Sequence, residues 1–245
     1  MKPTIILTRP AADSTRLSRR LAAHKFRSWQ QPVMEISPLE TNERPVLPSL
    51  EAKDIVIYVS ANAVLHGLES VSAAALQSPV SMAVGRRTAA TLRSSGIHPV
   101  VPEREDSEGL LALPQLQVVQ GRRVVLVKGV GGRELIASTL RERGAEVIEF
   151  SCYRRHYIPL ERELIASHIA PLKPLVWLAG SGGVVEHLGR QLAQHGFREL
   201  QAQALLVPSV RVALMASQHG WSHVLTADDA SDTAVVALLD RTYPY

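Results

Sequence analysis

The chain has 245 residues, of which 46% are hydrophobic, 20% charged and only 4% aromatic, and it carries a net charge of +4 at neutral pH. That composition is globular with an aliphatic core, long for one domain and short for two large ones. One cysteine, Cys152, excludes an internal disulfide and a multi-cysteine metal site, and fits a reducing cytosol. The N-terminal apolar run Ile5-Ile6-Leu7 ends at Arg9-Pro10, too short for a signal-peptide core or a membrane span. The expectation is a cytoplasmic chain with no membrane association. The mild basic excess suits an anionic ligand, but the basic residues are not interleaved with aromatics, so no nucleic-acid partner is expected.

In chain order, short apolar runs alternate with helical patterns. Residues 4–8 predict a strand and 12–23 a helix with Leu17 and Leu21 on one face. A strand at 55–59 precedes a helix at 61–68, and one at 82–84 enters a helix at 88–95 that Gly96 closes. The run 124–127 enters a helix at 133–143, 175–178 enters one at 183–192, and 205–207 enters one at 210–217. A final helix is predicted at 232–239. Strands apolar along their whole length between helices imply parallel sheets covered on both faces, an α/β fold. The stretches 29–36 and 147–158 are β-rich without a helix directly after them, and read as extended connectors able to pair with each other.

The chain also repeats itself. MAVGRRTAATLRSSG, from Met82 to Gly96, matches LVPSVRVALMASQHG, from Leu206 to Gly220, in strand, turn, helix and closing glycine. Ser107 then falls on Ser231, each about to open a helix. IVIYVSANAVLHGL matches VWLAGSGGVVEHLG with Ser60 on Ser181, and ILTRPAADSTRLSRRLAAH matches VLVKGVGGRELIASTLRER with Leu21 on Leu140. Two diverged copies of a unit of about 120 residues predict two similar α/β lobes with a cleft between them.

The turns carry the candidate chemistry. After Gly129 the third glycine of a dinucleotide fingerprint is replaced by Glu134, and the chain holds no Gly-Lys-Ser or Gly-Lys-Thr, so neither nucleotide loop is present. What remains around Lys128, Gly131, Gly132 and Arg133 is a tight turn whose N–H groups suit a carboxylate as well as a phosphate, or whose glycines simply let helix pack on strand. Ser60-Ala61 and Ser181-Gly182 open equivalent helices, as caps or as ligand donors. Gly85 to Thr88 and Ser209 to Arg211 form a third pair, in which Arg86, Arg87 and Arg211 can be solvated helix-start residues or ligand clamps. All these turns lie at the carboxyl ends of predicted strands, where open α/β sheets bind ligands. No Ser lies in a G-x-S-x-G elbow, the histidines show no metal-ligand spacing, and no metal site is expected. His24, His66, His187 and His219 are read as surface residues of helices. Tyr153, in Ser151-Cys-Tyr-Arg-Arg155, is either a ring buried at the lobe junction or a phenol that faces the cleft as proton donor.

Together these motifs resemble the uroporphyrinogen-III synthase family. The resemblance is carried by ILTRP with Thr8, Arg9 and Pro10, by VSANAV at 59–64, AVGRRTAATLRSSG at 83–96 and DSEGLLAL at 106–113. The most specific stretch is GGRELIASTLRERGAEVIEFSCYRR at 131–155, and SVRVALMASQHGW at 209–221 is similar too. The chain departs from the family's Thr-Ser pattern at Val59 and Gly180, so hydroxyls at those two positions are not essential here. The resemblance implies two flavodoxin-like domains with parallel sheets, one of residues 1–35 with 158–245 and the other of 39–147, joined by a two-stranded connector at 29–38 and 147–158. It implies that hydroxymethylbilane, possessing acetate and propionate groups on every ring, is cyclised to uroporphyrinogen III with loss of water and inversion of the last ring. No cofactor is implied, because the pyrroles supply the electrons. On the same grounds the chain is expected to be a monomer that receives its substrate from hydroxymethylbilane synthase. Substrate carboxylates would be bound by Arg9, Ser60, Ala61, Gly85, Thr88, Lys128, Gly131, Gly132, Arg133, Ser181, Gly182, Ser209 and Arg211, with Tyr153 assisting departure of the hydroxyl. The rival reading from the residues is a non-enzymatic two-lobed module that binds a small anion.

Overall fold

The structure is a computed structural model that describes residues 2–75, 77–132 and 134–244. Among these, the elements in chain order are β1 (Thr4–Leu7), α1 (Ala11–Ala23), β2 (Ser28–Gln30), β3 (Met34–Pro38), β4 (Ile55–Tyr58) and α2 (Ala61–Ala74). There follow β5 (Val80–Ala83), α3 (Arg86–Ser94), α4 (Ser107–Leu111), β6 (Arg123–Gly129), α5 (Leu135–Glu142) and β7 (Glu146–Tyr157). The rest are α6 (Arg162–Leu164), β8 (Leu175–Leu178), α7 (Gly182–Gln194), β9 (Ala204–Val207), α8 (Val210–Gln218), β10 (Val224–Thr226) and α9 (Asp232–Thr242).

The chain divides into two compact units, one of Met1–Glu35 with His156–Tyr245 and the other of Ile36–Arg155. In the first unit the sheet order is β10-β9-β8-β1-β2, and every neighbouring pair is parallel. Renumbered along the chain within that unit, the order is 2-1-3-4-5, that of flavodoxin-like sheets. The second sheet runs β3-β7-β6-β4-β5, with β7, β6, β4 and β5 parallel and Val100 bridging to Met82 beyond β5. Counting β6 as its first strand gives the same order, as expected of a duplicated unit.

The central strands are buried on both faces because helices cover both. In the first unit Ile6, Leu175, Trp177 and Leu205 enter one apolar cluster, while Ile5, Leu7, Val176, Leu178 and Leu206 enter another. Val56, Tyr58, Val125 and Val127 likewise face one layer of the second unit, and Ile55, Ile57, Val124 and Leu126 the other. This is the two-residue alternation of a strand, with both sets apolar.

Four local expectations are modified. The stretch 29–36 is shared by two strands: β2 pairs with β1, and β3 pairs with β7. Strand β7 is longer than a plain connector, since its first half pairs in parallel with β6. Helix α4 is capped by Asp106, whose side chain accepts a hydrogen bond from the Gly109 N–H at 2.7 Å; Ser107 is its first helical residue, whereas Ser231 caps α9. His187 is buried at 4% exposure. With Val184, Leu188, Gln191 and Leu192 it lies on the buried side of α7, so its helical position outweighs its polarity.

Candidate functional site

Strand β7 brings Tyr153 to the start of α2. The register between β6 and β7 slips between Lys128 and Gly129: Lys128 pairs with Ser151 but Gly129 with Tyr153, so Cys152 is passed over. Such an irregularity re-aims side chains, and here the consecutive residues Cys152 and Tyr153 are both buried. The Tyr153 ring lies over the Gly129 backbone: a Cβ at Gly129 would be 2.6 Å from both Cε2 and Cζ, closer than any carbon can sit.

Tyr153 is 0% exposed, and its hydroxyl has two partners. Arg155 Nη2 donates to it at 2.8 Å, and Ser60 Oγ is 3.0 Å away. Ser60 caps α2 by accepting from the Ala63 N–H at 3.1 Å. These contacts orient the protons. Were Ser60 the donor to Tyr153, the buried phenol proton would have no acceptor, which is costly. Tyr153 therefore donates to Ser60, and the Ser60 hydroxyl proton is left to point outward from the half-buried serine. His66 lies beside the phenol, with ring centroids 6.0 Å apart. Burial, and secondarily the charge of Arg44, hold His66 below its ordinary pKa, so it is neutral at neutral pH.

The other candidates of this unit fall at separate turns. Gly85 caps α3, and the Glu105 carboxylate already occupies that helix start, accepting from the Arg86 N–H at 2.8 Å and pairing with Arg86 Nε at 3.1 Å. The turn thus accepts a carboxylate in the protein itself. Thr88 is buried at 5% exposure and Ala61 is half-buried. Gly131 and Gly132 take φ of 67° and 91°, and a Cβ on either would meet nothing within 4 Å. Backbone conformation, not close packing, is what calls for glycine there. Arg133 lies outside the described residues.

Lys128 Nζ contacts Glu149 Oε2 at 2.5 Å, and Arg141 Nη2 contacts Glu149 Oε1 at 2.7 Å. The Lys128 hydrogen bond, followed by that of Arg141, holds the Glu149 carboxyl below its ordinary pKa. A depressed carboxylate pKa contributes stability that is complete above the unfolded value of about 4.3 and is lost as pH falls through the folded value. Glu149→Gln should therefore destabilise the protein by no more than about 1 kcal/mol at pH 7, the carboxylate being partly solvated, with the difference vanishing in acid. Urea denaturation of both proteins between neutral pH and about pH 3 checks this; a difference independent of pH would contradict it.

In the first unit Ser181 stands at the N-cap of α7 but makes no side-chain cap bond, whereas Ser209 caps α8 by accepting from the Val212 N–H at 3.4 Å. A Cβ at Gly182 would be 2.5 Å from Met215 Cε, so that glycine serves close helix packing. Arg211 is exposed beside Met215, with Nη1 3.8 Å from Sδ. Arg9 is 8% exposed and ion-paired: Nη1 meets Asp232 Oδ1 at 2.8 Å, and Nη2 donates to the Ala230 carbonyl at 3.0 Å. Arg16 Nε takes the other Asp232 oxygen at 2.8 Å. Among the described residues no cluster of three or more His, Cys, Asp or Glu could hold a metal ion, and no helix is long and apolar enough to cross a membrane.

Ser60 and Tyr153 are thus the sequence candidates brought into contact. Sequence reasoning missed Arg155, Gly129 and Glu105. The first had a usable signal: two residues along a strand from Tyr153, it projects from the same face.

Two sheets of 2-1-3-4-5 order, with polar helix starts at the carboxyl ends of their strands, define a duplicated α/β protein of the flavodoxin-like class. A family model described as uroporphyrinogen-III synthase HemD matches residues 15–237. The chain belongs to the uroporphyrinogen-III synthase family. It is 35% identical to the uroporphyrinogen-III synthase of Salmonella typhimurium over 250 residues, covering 96% of this chain and 99% of the relative. Identity to the Escherichia coli K12 protein of the same name is 33% over 245 residues, with the same coverage. The fold is similar to the crystal structures of the Helicobacter pylori enzyme (TM-score 0.64, 14% identity, 99% of this chain and 100% of that one) and of a mutant Thermus thermophilus enzyme (TM-score 0.61, 18% identity, 98% and 99%).

Proposed function

We propose that this chain cyclises hydroxymethylbilane to uroporphyrinogen III, with loss of water and inversion of the terminal pyrrole ring. The observation that carries the reading is the end-to-end match to synthases of that name at 33–35% identity, which favours it over a non-enzymatic anion-binding module. The reading makes the chain a cytoplasmic monomer that takes its substrate from hydroxymethylbilane synthase and needs no cofactor.

The Arg155, Tyr153 and Ser60 chain supplies the acid. As the C–O bond of the substrate's hydroxymethyl group breaks, Ser60 passes its proton to the departing oxygen and recovers one from Tyr153. Water leaves, and an azafulvene cation remains. The substituted α-carbon of the terminal ring attacks that cation. The spiro intermediate then breaks that carbon's original bond to its methylene bridge, releasing a second azafulvene cation, and recloses onto this cation through the free α-carbon on the other side of the ring nitrogen. The proton lost when that carbon regains aromaticity balances the one spent on the leaving group. Arg155 stabilises negative charge on the phenol oxygen while its proton is away. The rest of the task is geometric, since the uncatalysed closure gives the uninverted isomer.

Carboxylate binding is assigned to the turns at Ser60 and Ala61, Gly85 and Thr88, Lys128 with Gly131 to Arg133, Ser181 and Gly182, and Ser209 with Arg211. Arg9, expected among them from the sequence, is instead buried and engaged by Asp232 and the Ala230 carbonyl, a structural role. Glu105 at the start of α3 supports the chemistry of that assignment, being a carboxylate on such a turn. The reading is tested by expressing the chain in a haem-requiring bacterium that lacks its own uroporphyrinogen-III synthase. Growth without added haem is expected; absence of growth with folded, abundant protein would count against it.

A further inference from the structure

Strand β7 delivers a second tyrosine. Tyr157 is four residues beyond Tyr153, and so projects from the same strand face. It belongs to the first unit, where its hydroxyl stands against the start of α7: a Cβ on Gly183 would lie 2.1 Å from Tyr157 Oη and 3.2 Å from Cζ. Its ring stacks on His187 with centroids 5.1 Å apart and planes 29° apart. His187 is itself fixed, with Nε2 2.8 Å from the Ile158 carbonyl oxygen, while Nδ1 is buried without a partner.

The second unit has the matching arrangement. There Tyr153 meets Ser60 at the start of α2 and lies beside His66. The internal repeat aligns Ser60 with Ser181 and His66 with His187, so each unit receives one tyrosine at the same helix start, beside a histidine from the same helical position. The two phenols differ in surroundings. Tyr153 is fully buried and hydrogen-bonded to Ser60, whereas Tyr157 is 40% exposed and Ser181 makes no side-chain bond to its own helix. Gly183 is not left-handed, so alanine there would ordinarily favour the helix by about 1 kcal/mol. What the missing Cβ provides is room for the Tyr157 hydroxyl.

We propose that Tyr157 is a substrate-contacting residue, its phenol donating a hydrogen bond to a carboxylate of the tetrapyrrole at the start of α7, with Gly183 and His187 as its positioning residues. This rests on the synthase reading above. A phenol to carboxylate bond is charge-assisted and binds the chain without entering the chemistry, so its loss appears chiefly in KM.

The test is steady-state kinetics of the full chain and of Tyr157→Phe, Gly183→Ala and the double variant, with hydroxymethylbilane generated in situ and type III product resolved from spontaneous type I. Tyr157→Phe should raise KM by about tenfold with a smaller change in kcat. Gly183→Ala should raise KM as well, by displacing the hydroxyl. In the double variant the clash is relieved, so KM should match that of Tyr157→Phe alone, a coupling that a purely structural glycine would not show. A KM for Tyr157→Phe within about twofold of the parent, or effects that multiply in the double variant, would overturn the proposal. A parent protein that forms only type I product would instead overturn the synthase reading, so the two failures are distinguishable.

Discussion

Tyr153→Phe is expected to lower kcat by about a hundredfold while the protein stays folded, melting within about 4 °C of the parent. Phenylalanine keeps the ring that fills the space over Gly129 and touches His66, so the apolar contacts of a fully buried side chain survive. What disappears is the oxygen that accepts from Arg155 and donates to Ser60. Arg155 is exposed and Ser60 half-buried, so water can satisfy both, and the stability cost is about one hydrogen bond, ~1 kcal/mol. Rate and stability therefore separate in this variant. An unchanged turnover would remove Tyr153 from the chemistry and leave Ser60 as a cap alone.

Asp232→Ala is expected to have the largest effect on stability, about 3 to 5 kcal/mol, because it leaves the buried Arg9 guanidinium without its carboxylate. For a chain of this length that is a fall in melting temperature on the order of 10 °C. Asp232 also accepts from Arg16 and opens α9, where a negative charge suits the helix dipole. Replacing both partners by apolar residues, Arg9→Met with Asp232→Leu, should recover most of the loss, since the charge that needed compensation has gone. Calorimetric melts of the single and double variants check this. A single variant within about 2 °C of the parent would show that Arg9 is not held by this pair.

The strands were legible where their physics is plain. IVIY and LVWL are apolar on both faces because helices cover both. Val224–Thr226 was not found, being a short, half-buried edge strand with no such run. The internal repeat was legible too, but which strand pairs with which was not. The first strand of each copy lies in the other copy's sheet, Thr4 opposite Leu175 and Ile55 opposite Val124. The strands are so similarly apolar that hydrophobicity cannot choose between partners; only the family resemblance pointed to the exchange.

At the site, Tyr153 stood out as an aromatic in a connector of a chain poor in aromatics. A buried ring is one of the two readings the sequence allows; its contact with Ser60 is not legible there, because the slipped register at Gly129 turns two consecutive residues inward and breaks the simple strand alternation. His187 was misread for a related reason. Polarity suggested the surface, while its helical position and the Ile158 carbonyl place it inside. The serines that open helices behave unevenly as well: Ser60, Ser209 and Ser231 bond to their helices, and Ser181, in the same position, does not.

As a uroporphyrinogen-III synthase, the chain directs closure of the linear tetrapyrrole with inversion of its last ring. The most direct measurement is the isomer ratio of the uroporphyrins obtained when freshly generated hydroxymethylbilane is incubated with the purified chain, oxidised and separated, beside a blank without it. The type III isomer is predicted to dominate with the chain and type I in the blank. A ratio equal to that of the blank, from protein shown to be folded, would contradict the account.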